Sequence, residues 1–228
     1  MKKIKIVPDN NSISHTCREV LSTDYLIVDK DEDYTFDLSD KADKLELQSL
    51  FSNKYYYPRP QIGKFCIKKP VDGHSSQDIT IEKYNGNGQL GYIYQGYRDG
   101  KEVTVDVLIV KGKLIDFSVR ARHNIWKGIS MKSIFTNEYA HLIEKILKDM
   151  LKEYENIDNA LWVTQFIIDE VGVWLIENNQ RPCANMCYGR EGNYILNFIR
   201  AELGEKITVT NNDPKEINRY LGWTITEK

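Results

Sequence analysis

The chain has 228 residues, 41% of them hydrophobic, and 31 lysines and arginines nearly balance 33 aspartates and glutamates, for a net charge of -2. That length buries a sizeable core in one large domain or two small ones, and the charge balance offers no basic face for nucleic acid or an anionic membrane surface. No run approaches the roughly 20 apolar residues of a membrane span, and the apolar stretch of the opening MKKIKIVPDN ends at Pro8, too short for a signal-peptide core, so a cytoplasmic protein is expected.

In chain order, KIKIV at 3–7 and YLIV at 25–28 flank a helix expected from about Ser14 to Leu21, one small βαβ unit. DLSDKADKLELQSLF predicts a helix beginning near Ser39, with Leu45, Leu50 and Phe51 as its apolar positions, before the breaker stretch YYYPRP at 55–60. KFCIKKP, QDITIEK and QLGYIYQ read as three strands, and the NGNG between the last two predicts a hairpin at Asn85 to Gly88. KEVTVDVLIV and KLIDFSVRAR alternate and are joined by KGK. Alternation puts Glu102, Thr104 and Asp106 on one face, functional or wet, and Val103, Val105 and Val107 on the other, in the core.

From Asn137 to Tyr154, Tyr139, Leu142, Ile143, Ile146, Leu147, Met150 and Leu151 recur at helical spacing. LWVTQFIID and VGVWLIE follow as strands, then a helix in GNYILNFIRAEL closed by Gly204 as a left-handed cap. The tail 205–228 ends in the strand-like GWTIT. Cys17, Cys66, Cys183 and Cys187 have neither zinc-site spacing nor disulfide density, so free packing thiols are expected.

If LWVTQFIID and VGVWLIE form a hairpin with Glu170, Val171 and Gly172 as its loop and Gly172 left-handed, Gln165 faces Glu177. Asn179 shares that face by parity, while Asn178 and Gln180 point away. Gln165, Glu177 and Asn179 then gather three oxygen donors at a strand end, the chemistry Mg²⁺ prefers when it also holds phosphate oxygens, and Arg181 can meet a phosphate or carboxylate bidentately. The competing reading is a solvated polar strand end. KKPVDGHSSQDI sets lysines before a Gly/Ser loop able to surround phosphates, although it matches neither G-x-x-x-x-G-K-[ST] nor G-x-G-x-x-G.

Taken in order, SDKADK, YYYPRP, IKKPVDGHSSQDI, YQGYRDGKEVTVDVLI, VRARH, TQFIID, LIENNQRP and YGREGNYILNFI resemble the ATP-grasp superfamily of carboxylate-amine ligases, from about Ser39 to Gly204. The resemblance implies an α+β ATP-grasp fold, in which two α+β subdomains sandwich the nucleotide behind a reduced βαβ unit. The expected bounds are 1–38 for the N-terminal unit, 39–95 for the lid subdomain and 96–228 for the C-terminal subdomain with its metal site. ATP and Mg²⁺ (or Mn²⁺) are the implied cofactors. Phosphate contacts fall on Lys69, on Gly73, Ser75 and Ser76 in a lid loop at 72–77, and on either Lys41 or Lys44. Adenine falls to the backbone of Gln95, Gly96 and Tyr97, with Gln95 standing where the family usually has an acid. The ribose falls to Glu102.

The family's metal ligands match Gln165, Glu177 and Asn179, its phosphate arginine Arg181, and its pair toward a substrate carboxylate or acyl phosphate Arg120 and Arg122. His74 and His123 lie beside these positions and read first as bystanders. Family members usually carry a sizeable α/β domain where only about 38 residues precede Ser39. The acceptor wall is therefore expected to be truncated, supplied by another subunit, or open to a peptide or carrier. The implied activity is ATP-dependent ligation of a carboxylate and an amine through an acyl phosphate; the alternatives are a nucleotide-binding module without ligase activity and a phosphotransferase. Expected partners are small-molecule or peptide carboxylates and amines, with no nucleic acid and no membrane, and a homodimer stays open.

Overall fold

The computed structural model describes residues 1–8, 12–39, 41–72, 78–126, 129–154, 156–210 and 212–218. At the N-terminus, β1 (Lys3–Val7), α1 (Ser12–Leu21) and β2 (Leu26–Ile27) form the βαβ unit, with β1 and β2 parallel. A third strand not expected from the sequence, β3 (Tyr34–Asp37), runs parallel on the other side of β1. Ile4, Ile6 and Phe36 of this sheet bury against Cys17 and Leu21 of α1.

The next helix, α2 (Lys44–Phe51), starts later than Ser39 because Asp43 is its cap, accepting from Leu45 N and Glu46 N. Ser39 is engaged elsewhere, donating its N–H and its hydroxyl to Asp37. The core face of α2 is Leu47 and Phe51, four residues apart and both buried, whereas Leu45 departs from the expected apolar set and is 52% exposed.

Three strands then make a small antiparallel sheet, β4 (Phe65–Pro70), β5 (Thr80–Lys83) and β6 (Tyr92–Gly96), in the order β5-β4-β6. β4 therefore lies between the two strands that NGNG connects, and the expected hairpin is instead a crossover. Asn85 serves only a local turn, its Oδ1 accepting from Asn87 N at 2.9 Å.

The largest layer contains β7 (Lys101–Val110), β8 (Lys113–Trp126) and β9 (Ile129–Thr136), then, after α3 (Ala140–Glu153), β10 (Ala160–Ile168) and β11 (Val173–Asn179). Two 3-10 turns, Ala184–Cys187 and Gly189–Gly192, lead into α4 (Asn193–Glu202), and β12 (Glu216–Asn218) completes the sheet in the order β11-β10-β7-β8-β9-β12. KGK closes β7 onto β8 through Lys111 and Gly112 at φ 51° and 68°, the twist that two-residue hairpins favour. α4 ends with Gly204 at φ 68°, the left-handed position expected there.

Val103, Val105 and Val107 pack under α3 and α2, against Ile143, Ile146, Leu147 and Met150. Leu142 departs from the expected apolar stripe and is 41% exposed. On the other face Leu108, Leu161 and Val163 carry α1, α4 and the N-terminal sheet. Thr104 and Asp106 share that face and are buried, not wet. All four cysteines are free thiols, and Cys17 Sγ lies 3.7 Å from Cys187 Sγ. Among the described residues no helix is long and apolar enough to cross a membrane.

Candidate active site

β10 and β11 meet across a loop of four residues, because Ile168 pairs with Val173 and Asp169 Oδ1 ties the turn by accepting from Val171 N, Gly172 N and Trp174 Nε1, each at 2.9 Å. Gly172 is not left-handed, so the expected three-residue loop is not formed. Gln165 nonetheless faces Glu177, since Phe166 pairs with Leu175 and the register shifts by one beyond it, leaving Ile176 extruded as a β-bulge. Strict alternation from the buried Val173 and Leu175 would carry Glu177 and Asn179 into the same core. The bulge reverses the phase. Glu177 and Asn179 line a cavity together with Gln165, while Asn178 turns back, accepting from Thr164 Oγ1 at 2.8 Å and donating to the Tyr154 hydroxyl at 3.4 Å.

This cavity, about 410 Å³, has the face of the six-stranded sheet as its floor and Ile67 and Lys69 of β4 on its wall. Lys69 Nζ donates to Gln95 Oε1 at 2.7 Å and to the carbonyl of the bulged Ile176 at 3.3 Å. Gln95 Nε2 donates to Leu175 O at 3.4 Å, so both side chains fasten the small sheet to β11. Burial pushes the Lys69 pKa down to about 8; Glu177 and Glu102 oppose that shift and Lys44 adds to it. Lys44 Nζ reaches Pro70 O at the end of β4, 3.1 Å away, whereas Lys41 lines a different, smaller cavity.

At the segment matched to adenine, Gly96 N donates to Pro58 O at 2.6 Å and Tyr97 N to Phe65 O at 3.0 Å. A Cβ on Gly96 would lie 2.6 Å from Arg59 O, so only glycine allows this approach. Tyr94 is a sheet aromatic, its ring 5.4 Å from that of Tyr84.

Glu102 forms an ion pair with Arg122, and Arg122 Nη1 also lies 3.4 Å from Gln165 Oε1. Arg120 lines the cavity too, but its guanidinium forks onto Asp106, Nε to Oδ2 at 2.6 Å and Nη2 to Oδ1 at 2.7 Å, with both side chains buried. Asp106 is fully buried and lies behind the cavity lining, where it holds Arg120; β-strand alternation alone assigns it a face and no partner. The two-residue turn alone would set Arg120 opposite Val103 on the core face; the register shift between Leu108 and Ile109 brings it opposite Thr104, on the face of Asp106. Ser133 and Asn185 extend this polar floor, Ser133 Oγ standing 3.4 Å from Arg120 Nη1 and accepting from Asn185 Nδ2 at 3.2 Å. Cys183 adjoins it, its thiol pKa pushed up to about 11 by burial and then by Asp106, against Arg120.

Arg181 lines the cavity, its Nη1 donating to Pro182 O at 3.2 Å. His123 is exposed and is not part of the lining. Gly73, His74, Ser75 and Ser76 lie outside the described residues.

Gln165, Glu177 and Asn179 offer one carboxylate and two amides. Asn179 Nδ2 is directed to Val163 O at 3.5 Å, which leaves its Oδ1 as the donor for a cation. Among the described residues no group of three His, Cys, Asp or Glu side chains is placed to hold a metal, so a cation here relies on amide oxygens. That set suits Mg²⁺, which keeps several waters and shares substrate phosphates.

No family model and no curated protein matches the chain. Solved structures do. A protein from Archaeoglobus fulgidus assigned to the ATP-grasp superfamily is similar at TM-score 0.59 and 12% identity, covering 92% of this chain and 90% of its own. N5-carboxyaminoimidazole synthetase from Staphylococcus aureus complexed with ADP reaches TM-score 0.66 at 12% identity, covering 91% and 79%. D-alanine–D-alanine ligase from Bacillus anthracis reaches 0.52 at 11% identity, covering 82% and 89%.

Proposed function

We propose, for a chain whose fold is ATP-grasp, that it is an ATP-dependent carboxylate-amine ligase acting through an acyl phosphate. One observation carries the reading: Gln165 and Glu177 face each other across the bulged hairpin, on the wall of the cavity that Lys69 enters from the opposing sheet.

ATP and a carboxylic acid are substrates here. The acid's carboxylate attacks the γ-phosphoryl group and releases ADP; an amine then displaces phosphate. No side-chain nucleophile is needed, because phosphoryl transfer is governed by positioning and by neutralising charge. Lys69, with Lys44 beside the end of β4, balances phosphate charge, and Arg181 holds a phosphate or carboxylate oxygen at the far end. Glu102 faces the ribose, oriented by Arg122. Gln165, Glu177 and Asn179 would hold a divalent cation, which when bound supplies further neutralisation of the phosphates. Ile67, Ile167 and Ile176 line the same cavity and exclude water from the nucleotide.

A second reading, a nucleotide-binding module without ligase activity, is favoured by Arg120, whose guanidinium is committed to Asp106 and not to a substrate. The two part in one experiment: ADP release from Mg·ATP across pools of amino acids, dipeptides and other carboxylates, with hydroxylamine to trap acyl phosphate. Acid-dependent ADP release with hydroxamate formation is the ligase result. Tight ATP binding that no pool converts to ADP overturns it in favour of the module.

A further inference from the structure

Lys69 on β4 and Gln95 on β6 are diagonal neighbours on one face of the small sheet, since Lys69 pairs with Ile93 and Ile67 with Gln95. Both side chains are buried. Across from them runs β11, the edge strand of the large sheet. Leu175 finds partners outside that sheet: its N–H donates to Tyr56 O at 2.8 Å and its carbonyl accepts from Gln95 Nε2 at 3.4 Å. Ile176, extruded by the bulge, offers its carbonyl to Lys69 Nζ at 3.3 Å. Gln95 therefore serves the edge of β11 as a further strand would, and with its other end accepts from Lys69 at 2.7 Å.

An ammonium only donates and a peptide carbonyl only accepts, so the side chain between them has to show an oxygen to one and an N–H to the other. That is an amide, in one orientation. A carboxylate of the same length would face the Leu175 carbonyl with an oxygen and leave it without its donor. Charge sharpens the choice. Both hydrogen-bond acceptors of Lys69 among the described residues are uncharged, and Glu177 and Glu102 attract its ammonium without a hydrogen bond to it. A glutamate at position 95 would neutralise Lys69 at contact distance and repel an anion entering the cavity that Lys69 lines.

We propose that Gln95 is a positioning residue, whose neutral amide aims the Lys69 ammonium into the cavity and leaves its charge for an anionic ligand. That this ligand is the phosphate chain of ATP rests on the ligase reading; the aim itself does not.

The test uses the full chain with ¹³C-labelled lysines. The Lys69 Cε–Hε signals are assigned by their loss in Lys69→Met; a held methylene gives two Hε shifts and a freely rotating one a single shift. Two shifts are expected in the parent and in Gln95→Glu, and one in Gln95→Met, which keeps the length and loses the amide. If Gln95→Met fails to fold, Gln95→Asn, an amide one methylene short, should give the single shift instead. Calorimetry with Mg²⁺ should show ATP affinity lowered about tenfold or more in Gln95→Met and Gln95→Glu, with adenosine affinity unchanged. Two shifts in Gln95→Met, or ATP affinity kept in either variant, overturns the proposal. Equal loss for ATP and adenosine also overturns it, because damage to the whole site would then explain both. A parent that holds Lys69, releases it in Gln95→Met and yet binds no ATP keeps the aim and removes the ligase reading.

Discussion

Gln165 stands opposite Glu177 because Ile176 is left out of the ladder between them. The bulge lets one strand serve the core through Leu175 and the cavity through Glu177, only two residues on. Glu177→Gln removes the one carboxylate of the proposed cation site while keeping its shape. ATP affinity in the presence of Mg²⁺ should fall about tenfold, ~1.4 kcal/mol, with thermal stability nearly unchanged. Calorimetric titration with and without Mg²⁺ checks this, and parental affinity in the variant would remove Glu177 from the cation site.

Breaking the Asp106–Arg120 pair should be far more damaging to the fold. Both groups are buried and bidentate, so Asp106→Asn or Arg120→Met alone leaves a desolvated charge without its partner, at about 3–5 kcal/mol. For a chain of this size each kcal/mol lowers the melting temperature by roughly 2–4 °C. Replacing both residues with apolar side chains should recover much of the loss. Thermal melts of the two single variants and the double variant decide it; equal loss in all three would show that the pair acts through something other than mutual compensation.

Lys69 sets a pH dependence. Its pKa is lowered to about 8 in the fold from its ordinary 10.5, so between those values the unfolded chain holds a proton that the folded chain has released. Stability therefore rises with pH across that window, by about 3 kcal/mol in full, and below about pH 8 the whole cost of burying the ammonium is felt. Phosphate favours the ammonium, so ATP binding should weaken as pH climbs through 8 and take up a proton. Denaturant titrations at stepped pH should show the slope in the parent and lose it in Lys69→Met.

Gly96→Ala should strain the seam between the small sheet and the YYYPRP segment, since the added carbon would meet the Arg59 carbonyl at 2.6 Å. Overpacking of this kind costs about 1–3 kcal/mol. Gly88→Ala is the control, because nothing lies within 4 Å of its would-be Cβ. A melting temperature lowered by Gly96→Ala and untouched by Gly88→Ala is the expected pair of results; equal shifts would discount the contact.

How far the sequence revealed the molecule is clearest at the β10–β11 hairpin. The pairing of Gln165 with Glu177 was legible, but through a three-residue loop and an unbroken ladder, whereas the chain uses four residues and a bulge that compensate one another. The clue to the bulge was the change of phase between Leu175 and Glu177, where apolar alternation gives way to a carboxylate that no core accepts. NGNG misled because a turn signal is local and does not report that β4 lies between the strands it joins. Asp43 displaced the expected start of α2 because Ser39 had a nearer partner in Asp37. β3, β9 and β12 went unseen: each is short or irregular in pattern and owes its place to a neighbouring strand. The Asp106–Arg120 pair needed the register of β7 on β8, which a shift between Leu108 and Ile109 alters.

Lys69 has one consequence beyond its charge. An ammonium carries three hydrogens, and among the described residues two are directed within the protein, to Gln95 and to the Ile176 carbonyl. The third can meet a phosphate oxygen while the other two stay where they are. A ligand engaged this way is sensed by the same atom that keeps the two sheets in register, so occupancy and alignment of the halves are read at a single nitrogen.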